Sequence, residues 1–89
     1  MALYSISDMI YHDYHWNDNS KITGEPDSTL LNRREGYEVL YFINKMAEIH
    51  HLRNKKDGEK IEMMIREMVP GNMHSQMEIK WWIEKNWRR

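Results

Sequence analysis

Apolar residues recur along this chain at helical spacing in four separate stretches, and the most apolar of them, Y-E-V-L-Y-F-I-N-K-M-A-E-I-H-H-L from Tyr37 to Leu52, predicts the central element. It lies within a helix predicted over 28–52. In phase, Leu31, Val39, Leu40, Phe42, Ile43, Met46, Ala47 and Ile49 cover about half of the circumference, wider than the stripe of an ordinary surface helix. Such a helix must be packed from more than one side. Gly36 falls on the same face and costs roughly 1 kcal/mol against alanine in mid-helix, so a close crossing by another helix is expected there. Asp27 or Ser28 can cap the start, while Asn32 followed by Glu35 offers a competing one.

Before this element, Ser5 with Asp8 resembles an N-terminal capping pair, and Ile6, Met9 and Ile10 recur at helical spacing. They predict a helix over 5–16 with Leu3, Ile6, Met9, Ile10, Tyr14 and Trp16 on its core face and Tyr4, Tyr11 and His15 opposite. Asp13 falls inside the apolar arc, a local inconsistency that either argues against the helix or implies a partner for the carboxylate. Residues 17–27, N-D-N-S-K-I-T-G-E-P-D, carry turn formers at nearly every position and predict a long loop, with room for a short strand through Lys21, Ile22 and Thr23.

After the central element, Asp57 can cap a helix over 58–69, in which Ile61, Met64, Ile65 and Met68 follow an i, i+3, i+4, i+7 pattern. Pro70 and Gly71 stop it. Ser75 and Glu78 form a capping box for a last helix over 76–87, with Ile79, Trp82, Ile83 and Trp87 inward and Met77 and Trp81 outward. The reading is one all-α domain over 1–89, a bundle of about four helices in which the first packs across the other three.

Composition narrows the function classes. At 89 residues, 40% hydrophobic and 30% charged, the chain suits one small globular domain. It has no cysteine, which removes disulfides, thiolate metal sites and cysteine nucleophiles and is compatible with a reducing compartment. No apolar run approaches the roughly 18 residues of a membrane span, and M-A-L-Y-S-I-S-D lacks the basic start of a signal peptide, so a cytoplasmic protein without a membrane partner is expected. The net charge of −1 conceals an asymmetry: five acids against Lys21 in residues 1–29, and twelve basic against nine acidic groups thereafter. Nine Ile, seven Lys and seven Asn beside two Ala and two Val are the bias that A/T-rich codons produce, which suggests a bacteriophage or other mobile element as the source.

Candidate chemistry is sparse. His12 and His15, three apart on a predicted helix, could bridge a zinc ion but make only half a site. His50 and His51 close the central helix, where a cation favours the helix dipole, and capping is the simpler role. Arg53, Lys55 and Lys56, with Arg88 and Arg89, are candidate phosphate contacts, although Asp57 and Glu59 dilute the first group. The aromatic residues carry the sharpest signal. Trp81 and Met77 face away from the core of the last helix, and Tyr37 and Tyr41 stack at i, i+4 on the less apolar side of the central one. They point to a non-enzymatic protein–protein interaction or regulatory module, with no catalytic residue, metal or cofactor, that binds a protein partner or its own copy. The alternative is a small helix-turn-helix-like DNA-binding regulator using the last two helices.

Overall fold

The computed structural model describes residues 3–16 and 30–88. These contain three α-helices, α1 (Gly36–Ile49), α2 (Lys55–Met63) and α3 (Gln76–Lys85), and no β-strand. α2 runs directly into a π-helical turn, Met64–Met68, and a single 3-10 turn, Ile6–Asp8, stands near the N-terminus. The predicted loop over 17–27, the Asp27 and Ser28 caps and Arg89 lie outside the described residues.

The helix-forming signals after residue 35 act locally. The Ser75 hydroxyl accepts from the Glu78 amide, and the Glu78 carboxylate accepts from Ser75 in return, which starts α3 as the spacing predicts. Asn54 rather than Asp57 caps α2 by accepting from the Lys56 amide, so Gly58 sits inside the helix. The helical stretch still ends at Pro70, with Val69 already extended. Val39, Phe42 and Ile43 of α1, Ile61 and Ile65 from α2 and its π turn, and Ile79 and Ile83 of α3 meet in one fully buried core.

α1 starts later than predicted, at Gly36. Glu35 is its N-cap and accepts from the Glu38 amide, while the Leu31 amide donates to the His74 carbonyl, the Glu35 amide to the Asn32 carbonyl and the Gly36 amide to the His15 carbonyl. Tertiary and turn partners thus hold the amides before the helix. At the other end, His51 takes a left-handed conformation at φ 56°, its amide donates to the Glu48 carbonyl and the Leu52 amide to the Ala47 carbonyl. This is a Schellman closure with histidine at the position that favours glycine.

The helix predicted over 5–16 does not form. Asp8 does accept from Ser5, but the chain turns extended at Met9 after one 3-10 turn. The physical reason is specific: the Ile10 and Tyr11 amides, which would have continued the ladder, donate instead to the Glu62 carboxylate. Met9 and Tyr14 are buried as expected, but other positions change sides. Tyr4, expected outside, is 1% exposed, whereas Ile6 and Ile10, expected in the core, are 49% and 42% exposed. Residues 3–16 form an extended arm across α1 and α2. Its two ends are fixed by Tyr4, whose amide and carbonyl both bond the Asn44 side chain, and by His15, which pairs with Glu35 in a parallel bridge.

Both helical glycines receive aromatic rings from this arm. A Cβ on Gly36 would stand 2.6 Å from the Trp16 ring, and one on Gly58 2.6 Å from the Tyr4 ring. The close approach expected at Gly36 therefore exists, but a tryptophan of the extended arm makes it rather than a crossing helix.

Candidate interaction surface

α3 buries Ile79 and Ile83 on one side, so the residues half a turn away are turned outward by helical geometry. Trp81 stands at the centre of that outer face, 53% exposed, with Met77 one turn before it and 55% exposed. The Lys85 ammonium lies 4.6 Å from the Trp81 ring centroid, on the side toward the helix C-terminus. Leu30 is the most exposed large apolar residue among the described residues, and its antiparallel bridge to Ser75 places its backbone beside the start of α3. Met77, Trp81 and Leu30 are thus apolar groups displayed around one helix end. Met77 and Trp81, one turn apart and both more than half exposed, form an apolar pair on the outer face of α3, and exposed apolar patches mark contact sites.

The charges around this face are ordered along it. Glu78 near the N-terminal end is held below the ordinary glutamate range, chiefly by the Ser75 amide and then by the Ser75 hydroxyl. Glu84 lies 2.8 Å from both the Lys80 ammonium and His50 Nε2. Burial pushes its carboxyl up, but the bonds from Lys80 and His50 outweigh burial and leave it lowered. This network ties the end of α1 to α3. Beside it lies a pocket of about 170 Å³ lined by Met46, His50, Leu52, Ile61, Ile83, Glu84 and Trp87.

Tyr37 and Tyr41 are half-buried on α1. Tyr37 meets the Trp16 ring edge to face at 5.1 Å, so the arm, and not a helix, covers that side. Tyr41 has the Lys45 ammonium 5.8 Å from its centroid. Tyr37 is thus packed by the arm, while Met77 and Trp81 on α3 are exposed.

Of the candidate phosphate contacts, Lys55 pairs with Asp8 at 3.1 Å, while Arg53, Lys56 and Arg88 are exposed. His12 and His15 are exposed on the extended arm, where three-residue spacing no longer stacks two imidazoles. Among the described residues no group of three His, Asp or Glu side chains is placed to hold a metal ion. Nor is any helix there long and apolar enough to cross a membrane.

Three polar residues with large structural roles carry no motif. Glu62, fully buried, accepts at Oε1 from the Tyr4 hydroxyl and Ile10 amide and at Oε2 from the Tyr14 hydroxyl and Tyr11 amide. Arg66, one turn later, makes two 2.7 Å bonds to Asp13 and stacks over the Tyr11 and Tyr14 rings at 4.4 and 5.1 Å. Burial, and then the bonds to Glu62, push both the Tyr4 and Tyr14 hydroxyls well above the ordinary tyrosine range, which keeps them protonated donors. Arg33 donates to the carbonyls of Ile65, Val69, Pro70 and Met73, satisfying the helix end at the π turn. The one sequence signal bearing on this system is Asp13, whose place in the predicted apolar arc either argues against the helix or implies a partner; the helix does not form, and Arg66 is the partner. Compared with protein-family models, curated proteins and solved structures, the chain matches none significantly.

Proposed function

We propose that this protein is a non-enzymatic interaction module that docks another protein surface on the outer face of α3. The observation that carries the reading is Trp81, more than half exposed at the centre of that face with Met77 beside it. Tryptophan is among the residues most enriched at binding hot spots, and a helix held rigidly by a buried core presents it at little conformational cost. The rest of the aromatic inventory supports this division of labour. Tyr4 and Tyr14 are buried and held by Glu62, and Trp16, although 39% exposed, packs on Tyr37, whereas Trp81 is the most exposed aromatic ring among the described residues.

A nucleic-acid role takes less from the geometry. A recognition helix would enter the groove with Glu78 on its first turn and Trp81 at its centre, and base edges and phosphates reward neither. The test is Trp81→Ala. The variant should melt within about 2 °C of the parent, because little buried surface is removed, yet lose association with a partner retained from nuclease-treated host lysate. Unchanged retention by the folded variant would sink the proposal. Retention that needs nucleic acid and weakens steeply with salt would favour the DNA-binding reading instead.

A further inference from the structure

We infer that the partner seated on α3 is a second copy of this chain, bound antiparallel about a two-fold axis near Trp81. This rests on the docking role of α3 argued above. Written as heptad positions, Met77 and Trp81 occupy the d and a sites of a short seam, Glu78 and Lys85 both fall at e, and Lys80 falls at g. In an antiparallel pair, e faces e of the partner. Glu78 of each copy then lies opposite Lys85 of the other, and the two-fold axis makes this contact twice. In a parallel pair, g faces e, and Lys80 would meet Lys85, a like-charge contact repeated on both sides. Lys80 meets a lysine of the copy in either orientation, Lys80 itself across the antiparallel axis, so the two Glu78–Lys85 contacts are what favour the antiparallel pair.

The local geometry leaves these groups in place for the pairing. Both Ser75 donors fall on Oε1 of Glu78, so the cap and the acidic charge coexist at the same helix end. Lys85 lies against the Trp81 ring, which holds its ammonium over the seam. Glu84, the next seam position, is drawn toward His50 and Lys80, so the apolar contact ends there. So short a seam gives a small interface, and small interfaces belong to weak, reversible complexes. The dimer is accordingly one that assembles at high protein concentration.

Charge reversal tests the pairing. In sedimentation equilibrium, the parent should show a monomer–dimer equilibrium. Lys85→Glu places Glu78 opposite a second acid and should weaken dimerisation at least about tenfold, and Glu78→Lys should do the same by placing two lysines together. Mixed in equal amounts, the two variants should form a one-to-one heterodimer, since each Lys then faces a Glu again. Thermal melts establish that each variant is folded, and Lys85→Glu, remote from the cap, carries the test alone if Glu78→Lys is not. A parent that stays monomeric at millimolar concentration, or a Lys85→Glu variant that dimerises as well as the parent, overturns the second-copy inference. If Trp81→Ala still abolishes binding to a different protein in that case, the docking role survives with a foreign partner; if it does not, both fail.

Discussion

The Tyr14 hydroxyl donates to Oε2 of Glu62 across 2.7 Å, and both groups are buried. Each Glu62 oxygen takes one phenol and one backbone amide, so the carboxylate is fully occupied by donors from the arm. Glu62→Gln replaces one oxygen by an NH₂ group. A phenol can rotate its hydrogen away, but a backbone amide cannot, so at least one amide loses its acceptor whichever way the side chain is turned. We expect a loss of about 2–4 kcal/mol, and about 1–2 kcal/mol for Tyr14→Phe, which removes one donor of four. Urea unfolding of the variants measures both. A Glu62→Gln variant as stable as the parent would show that the arm does not depend on this carboxylate.

Gly58 invites the opposite of the usual helix rule. Alanine for glycine inside a helix ordinarily stabilises by about 1 kcal/mol. Here the new Cβ would meet the Tyr4 ring at 2.6 Å, and Tyr4 is itself fixed through Asn44 and Glu62. Gly58→Ala should therefore destabilise by roughly 1–3 kcal/mol. In a Tyr4→Ala background the clash is gone, and the same substitution should stabilise. That change of sign, read from a double-mutant cycle, is the decisive measurement. Gly58→Ala stabilising in both backgrounds would contradict the packing described.

These two residues also show what the sequence could and could not convey. α2 and α3 are governed by contacts a few residues apart, namely an amphipathic stripe, a capping box and a proline stop, and those were legible. Met77 and Trp81 were placed on the outer face of α3 by the same periodicity. The arm was not legible, because its periodicity is helical while its amides are captured by Glu62, about fifty residues away. Local propensity cannot register such a competitor. Glu62 carries no motif or spacing that sets it apart from the other acids of α2. Only Asp13, out of place in the apolar arc of a helix over 5–16, marks the local pattern as inconsistent, and both of its readings hold: the helix is absent and Arg66 partners the carboxylate.

His51 offers a gain in stability. It is the only described non-glycine residue with positive φ, at 56°, and it closes α1 through the amides of His51 and Leu52. A left-handed conformation costs an ordinary residue roughly 1–2 kcal/mol, part of which glycine returns through its greater freedom in the unfolded chain. His51→Gly should stabilise by about 1 kcal/mol, raising the melting temperature by about 4–8 °C for a domain of this size. His51→Ala should give no such rise, because alanine meets the same backbone strain. Equal melting temperatures for the two variants would place the effect in the lost imidazole instead.

Stability should fall on acidification, with a part traceable to one ion pair. Hydrogen bonds from Ser5 and then Lys55 lower the Asp8 carboxyl, and Arg66 lowers Asp13. Ser75 lowers Glu78, and Lys80 with His50 lowers Glu84 against the upward push of burial. In each case the folded value lies below the unfolded one, so as pH falls the unfolded chain takes up protons first. The contribution is complete above the ordinary carboxyl values and is lost progressively as pH drops from about 4.5 through the lower folded values. Urea midpoints should be level just above pH 5 and decline below it. Arg66→Gln should make that decline shallower, because Asp13 would lose the largest cause of its lowering, with only the backbone and Arg34 left to hold it down. If the decline is as steep without the guanidinium, the Asp13–Arg66 pair is not what couples the arm's attachment to pH.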